Sequence, residues 1–143
     1  VLINLGALVT RIRDILASDA RTSGILWHDG RRSIQQVQGN PAGTVCVDTG
    51  EDVIAYIGGL GREATINILV SVRETAEKVG NAEKNIQNWL DNAIAVLAEK
   101  WDLNAFSPTT SVDQINFRTD SNPEADPPEA RFTMTVVVKV RVR

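Results

Sequence analysis

The sequence predicts an α+β fold, a mainly antiparallel sheet packed by two helices on one face. Three runs carry that prediction. In residues 132–143, Phe132, Met134, Val136, Val138, Val140 and Val142 alternate with Thr133, Thr135, Val137, Lys139, Arg141 and Arg143. Period-two alternation marks a strand with one buried and one wetted face. Residues 65–73 repeat it, with Ile66, Ile68, Val70 and Val72 set between Thr65, Asn67, Leu69, Ser71 and Arg73. Between these runs, Ala82, Ile86, Trp89, Leu90, Ala93, Ile94, Leu97 and Trp101 recur at helical spacing. One-faced strands and one-striped helices bury their apolar sides by stacking as layers. The final run is therefore expected inside the sheet.

The first helix is read from Leu5, Leu8, Val9, Ile12, Ile15 and Leu16, with Asn4, Thr10, Arg11, Arg13 and Asp14 on its other side. Gly24 is its expected limit. Residues 25–28 form a short strand. Residues 29–43 are polar, contain Gly30, Gly39, Pro41 and Gly43, and show no period. They read as a long loop, of the kind that usually carries function.

From residue 44 to residue 73 the pattern is β. A strand at Val45-Cys46-Val47 turns near Asp48-Thr49-Gly50, residues 53–57 return, and Gly58-Gly59-Leu60-Gly61 turns the chain again. Two antiparallel connections result. The second helix is expected to start at an Asn81 cap and to lie on the sheet. Residues 112–118 form another strand, with Ile115 and Phe117 on one side. Residues 119–129 hold Asp120, Glu124, Asp126 and Glu129, no basic residue, and Pro123, Pro127 and Pro128. Prolines cannot join a ladder and like charges repel, so this stretch reads as an extended, solvated loop.

Composition narrows the classes of function. The 143 residues suit one domain, residues 1–143, with a core that needs no staples. Cys46 is the single cysteine and no glycosylation sequon is present, which favours an intracellular setting. A formal charge of −3 without a basic tract argues against non-specific nucleic-acid binding, and no specific nucleic-acid binding is expected. No apolar run approaches the roughly 20 residues of a membrane span. A soluble protein without membrane contact is expected.

The search for chemistry finds little. His28, next to Asp29, is the only histidine and has no partner at a ligand spacing. Cys46 alternates with valines and reads as a packing residue. The glycines at 58–61 open onto a strand, whereas a phosphate-cradling loop opens onto a helix N-terminus. Glu51 and Asp52 flank Gly50 in a turn, where solvated charge is ordinary. Trp89 and Trp101 share the helical stripe and read as core. No catalytic residue, cofactor site or metal site is expected. What stands out is charge placement, with four carboxylates in residues 119–129 and four cations, Arg131, Lys139, Arg141 and Arg143, after them. The cations form either a solvated face or a contact with a neighbouring subunit.

Taken together, the pattern resembles the tail terminator proteins of long-tailed bacteriophages. The resemblance rests on the amphipathic helix ending near Arg21, the loop into Pro41-Ala42, the strand at 44–47 and the glycine hairpin at 58–61. It continues through the strand at 63–73, the helix at 81–100, and Ala130-Arg131-Phe132 leading into 136–143. It implies a subunit of a homo-oligomeric ring, a hexamer, at the tail–neck junction of a virion assembled in the host bacterial cytoplasm. Such a ring caps the tail tube protein, halts tube and in some tails sheath polymerisation, and meets the neck or head-completion protein, with DNA passing through it. On that basis Arg31, Arg32 and Arg62 in the loops, the acidic Asp120, Glu124 and Asp126, and Lys139 and Arg141 are the expected subunit or tube contacts. A neck protein of the head–tail connector is the neighbouring alternative. A small enzyme or ligand-binding domain using His28 and Asp29 is the alternative from another class.

Overall fold

The computed structural model describes residues 4–29, 39–48, 54–56 and 62–142. Along the chain it places α1 (Leu5–Ser18), β1 (Leu26–Asp29), β2 (Ala42–Val47), β3 (Ile54–Tyr56), β4 (Arg62–Thr75), α2 (Val79–Glu99), β5 (Thr110–Asn122) and β6 (Glu129–Val142). The strands make one sheet in the order β1-β2-β4-β6-β5, with β3 also on β4. Every pairing is antiparallel except β1 with β2. α1 packs on β1 and β2, and α2 on β4, β5 and β6. The α+β architecture expected from periodicity is the one observed.

Alternation explains the core. Along β4, Ala64, Ile66, Ile68, Val70 and Val72 are buried, while Thr65, Asn67, Leu69, Ser71 and Arg73 are half-buried. Along β6, Phe132, Met134, Val136, Val138 and Val140 are buried opposite them, in register Val72↔Phe132 through Ala64↔Val140. These side chains join Leu8, Ile12, Ile15 and Leu16 of α1 and Ile86, Ala93, Val96 and Leu97 of α2 in one core cluster. The final strand thus runs between β4 and β5, inside the sheet.

Several boundaries differ from expectation, each for a local reason. α1 starts on Asn4, whose side chain accepts a hydrogen bond from the Ala7 amide at 2.9 Å. It stops before Gly24, as expected, but already at Ser18, where the Asp19 carboxylate accepts the Arg21 amide at 2.9 Å and turns the chain. α2 begins two residues before Asn81, its first turn closing on the Lys78 carbonyl through the Asn81 and Ala82 amides. Asn81 is therefore inside the helix and is not its cap. Asp29, Ala42 and Gly43, assigned above to a loop, belong to strands. Residues 119–122, likewise assigned to a loop, continue β5, so the connection to β6 is the shorter span 123–128.

The expected reversal between β2 and β3 is absent. β2 pairs with residues 68–73 of β4 and β3 with residues 63–65, so the two short strands run in the same direction along one edge of β4. β4 has 14 residues and β2 only 6, which leaves room for both. The β3–β4 pairing is antiparallel, as expected. Its turn at 57–61, with the glycine hairpin, lies outside the described residues, as do Glu51 and Asp52.

Gly43 shows why β1 and β2 approach so closely. A Cβ there would stand 2.7 Å from Cε3 and Cζ3 of Trp27, the residue paired with it across the parallel ladder. The indole lies where that side chain would be, and its Nε1 donates to the Thr22 carbonyl at 3.0 Å. The glycine thus admits the tryptophan.

A charged cluster ties the turn after α1 to the end of α2. Arg21 donates to Glu99 through both Nη atoms, at 2.9 and 2.6 Å, and to Asp19 through Nε and Nη2, each at 3.0 Å. Lys100 Nζ stands 3.7 Å from Asp19. Hydrogen bonds from the Arg21 side chain and amide hold the Asp19 carboxyl far below the usual range, and the Arg21 side chain lowers Glu99. A carboxyl depressed in the folded state stabilises it fully above the unfolded pKa of about 4, and that contribution fades as pH falls below it. Thermal midpoints measured from pH 7 downward should therefore show wild type more stable than Glu99→Gln at neutral pH, with the gap closing below about pH 4. A gap that does not change with pH would exclude this linkage.

Candidate functional site

The hairpin β5–β6 carries five of the expected contact residues, Asp120, Glu124 and Asp126 towards its connecting end and Lys139 and Arg141 towards the other. At the connecting end, Pro123, Glu124, Asp126 and Pro127 are exposed. Asn122 shapes this turn, its side chain accepting the Glu124 amide at 3.2 Å and its carbonyl the Ala125 amide at 3.3 Å. Asp120 sits just inside, on β5, and accepts Arg131 Nε from the facing position of β6 at 2.7 Å. Opposite charges facing across a ladder stabilise the pairing by about 0.2–1 kcal/mol. Asp120 is thus engaged within the subunit, while Glu124 and Asp126 project from it.

At the other end of the hairpin, Lys139 and Arg141 lie on the sheet face away from the helices. Lys139 Nζ stands 3.9 Å from Asp113 Oδ2, and the Arg141 amide donates to the Thr109 carbonyl at 2.9 Å. Arg62 opens β4 opposite Val142, which places its backbone at the same end of the sheet. Arg31 and Arg32 lie outside the described residues.

Beside Lys139 and Arg141 is a cleft of about 540 Å³, formed where the chain leaves α2 and enters β5. Sequence periodicity did not reveal it. Trp101 continues the apolar stripe of α2 by spacing, four residues after Leu97, yet the helix ends at Glu99 and the Trp101 side chain is 59% exposed on the cleft wall. The turn that places it there has three successive left-handed residues, Leu103, Asn104 and Ala105, with φ of 55°, 56° and 57°. That conformation is unfavourable for side chains with a Cβ. It is compensated by full burial of Leu103, by Asp102 Oδ1 accepting the Asn104 amide, and by Arg11 Nη1 donating to the Leu103 and Asn104 carbonyls at 3.4 and 3.2 Å. Arg11 also stands over the Phe106 ring, 5.5 Å from its centroid. The Val112 amide then bonds the Trp101 carbonyl at 2.8 Å, fixing this turn to the strand. Phe117, a second exposed aromatic, lies on edge strand β5 opposite Met134.

The residues considered for chemistry are dispersed. His28 is half-buried in β1 at the position paired with Thr44, and Cys46 is buried in β2. Trp89 packs against the core and donates from Nε1 to Glu74 at 3.0 Å. Among the described residues no group of three or more histidine, cysteine, aspartate or glutamate side chains could hold a metal ion, and no helix is long and apolar enough to cross a membrane. The described surface carries a hairpin with an acidic, proline-bearing tip, and a cleft lined by Trp101 with Asp102, Asp113, Lys139 and Arg141.

No family model and no curated protein matches the sequence. Among solved structures, the chain is similar to one from the virion of a native gene transfer agent particle, with 14% identity and a TM-score of 0.49 over 99% of this chain and 100% of that one. A second solved chain is similar at 12% identity and a TM-score of 0.46, over 96% of this chain and 93% of that one.

Proposed function

We propose that residues 1–143 act as one structural domain of a virion, a tail-terminator-like subunit that joins copies of itself into a ring, six in number. The ring caps the tail tube, stops its polymerisation and that of a sheath where there is one, and offers its other side to the neck, with DNA passing through. The work is done by surface complementarity, without catalysis or cofactor. The observation that carries this proposal is the two-ended hairpin: each subunit presents two different patches, as a head-to-tail contact requires, and such contacts close into rings when the rotation permits. The order of elements agrees with the resemblance noted in the sequence, two helices on one face of a sheet whose final strand is internal.

The test is the mass of the purified protein by light scattering, with electron microscopy of negatively stained particles, alone and mixed with tail-tube protein of the same particle. A ring seated on tube ends, and tubes that stop lengthening, are expected. A chain that stays monomeric in both settings would overturn the proposal. Binding to the head-side adaptor in place of the tube would assign it to the neck.

A further inference from the structure

We propose that the outer edge of β5 is a binding site for the same strand of a second copy of this chain, the two running antiparallel across a two-fold axis at Thr119. Such a contact uses one patch on both copies, so it is independent of the head-to-tail ring proposed above. β5 ends the sheet and, at 13 residues, is longer than most strands, yet it has a single ladder, to β6. The Arg141 amide bonds the Thr109 carbonyl and the Ala76 amide the Pro128 carbonyl, so the odd-numbered residues of β6 turn their backbone groups towards β5. Their partners there are Gln114, Asn116, Arg118, Asp120 and Asn122. Backbone groups alternate sides along a strand, so the amides and carbonyls of Ile115, Phe117, Thr119 and Ser121 point outwards from the edge of the sheet. Free edges of this kind template the addition of another strand, and proteins blunt them with prolines, lysines or bulges. The irregularity of β5 at Val112/Gln114 lies before this stretch, and residues 114–122 contain neither proline nor lysine.

The side chains select a second β5 as the occupant, and one register for it. Antiparallel copies related by a two-fold axis set one residue opposite itself. An axis at Arg118 or Asp120 brings like charges together, and an axis at Phe117 sets Arg118 against Asn116 and Asp120 against Gln114. With the axis at Thr119, Arg118 of each copy stands opposite Asp120 of the other, twice over, in the closer class of cross-strand pair. Arg118 is exposed and, among the described residues, has neither a hydrogen bond nor an ion pair. Asp120 accepts Arg131 on Oδ1, which leaves Oδ2 for a second donor. The same register sets Phe117, 59% exposed, opposite Ser121 of the other copy. A recess of about 120 Å³ lies beside Ser121, bounded by Glu83, Ile86 and Gln87 of α2. Phe117 projects from that same face of the sheet, where its partner across the ladder is the buried Met134. The aromatic ring left uncovered in its own subunit is thus set at the mouth of a recess in its neighbour.

The experiment measures the mass of the purified chain by sedimentation equilibrium over a range of concentrations, without tail-tube protein. Wild type is expected to pass from monomer to dimer, with the amides of Ile115, Phe117, Thr119 and Ser121 gaining protection from hydrogen exchange as it does. Thr119→Pro should abolish the dimer and keep the fold, checked by circular dichroism, because its amide takes no part in the β5–β6 ladder. Arg118→Asp and Asp120→Lys should each weaken the dimer by about 10-fold or more, since each sets like charges opposite one another twice. Mixed in equal amounts, these two variants should form a heterodimer of near wild-type strength, because each new charge then faces its opposite. Wild type that remains monomeric at every concentration would overturn this contact and leave the ring reading standing. A dimer that survives Thr119→Pro would overturn the use of this edge, and a mixture that binds no more tightly than its components would overturn the register. Ring formation on tail-tube protein is read separately, and its failure would leave the two-fold contact standing.

Discussion

A chain ending at Thr135 is expected not to fold. The missing residues are the half of β6 that pairs with residues 62–68 of β4 on one side and with residues 110–115 of β5 on the other. Their loss removes the buried side chains of Val136, Val138 and Val140, each worth about 1.5–3 kcal/mol on burial. It also strips partners from backbone groups of both neighbours, which then need water in a region roofed by helices. Against a total stability of about 5–15 kcal/mol, this loss is comparable to the whole. Thermal unfolding followed by circular dichroism should show no cooperative transition. A transition at the wild-type midpoint would show that the sheet does not depend on its final strand.

Phe132→Ala is expected to destabilise the fold by about 3–5 kcal/mol, the range for deleting a buried aromatic ring and leaving a cavity. Phe132 is fully buried in β6, facing Val72 on β4 and Thr119 on β5, in the same core cluster as both helices. The strands on either side of it are pinned by the β4–β6 and β5–β6 ladders, so the space cannot fully close. Chemical denaturation should give that loss, with a fall in thermal midpoint of roughly 10 °C or more. Thr133→Ala, one residue along and on the opposite face, should change stability by less than about 1 kcal/mol. Equal effects of the two substitutions would mean that the alternation of β6 does not set burial. Neither change touches the hairpin tip or the Trp101 cleft, so effects on assembly should follow stability alone.

The elements legible in the sequence are those whose own periodicity settles their environment. In β4 and β6 the apolar side chains recur every second residue, and only a sheet position with one buried face satisfies that. The stripes of α1 and α2 likewise needed nothing beyond themselves, and both helices lie where an apolar stripe must, on the sheet. The acidic tip was legible as composition, since prolines and carboxylates cannot be packed away. Asp120 was not legible as a paired group, because its partner Arg131 is brought opposite by the register of the hairpin, a property of two strands together.

Trp101 shows the limit most plainly. By spacing it extends the helix stripe, and local pattern offers no sign that the helix ends two residues earlier. The left-handed turn at 103–105 exists because Arg11, from the other end of the chain, binds its carbonyls and because Leu103 finds a place in the core. Similarly, β2 and β3 share one edge of β4 because that strand is long enough for both. Periodicity by itself determined the layers of this protein, since an apolar face must be covered wherever it occurs. Tertiary structure alone decided which residues meet at the cleft and which at the tip, because register and chain reversals join positions that no local pattern relates.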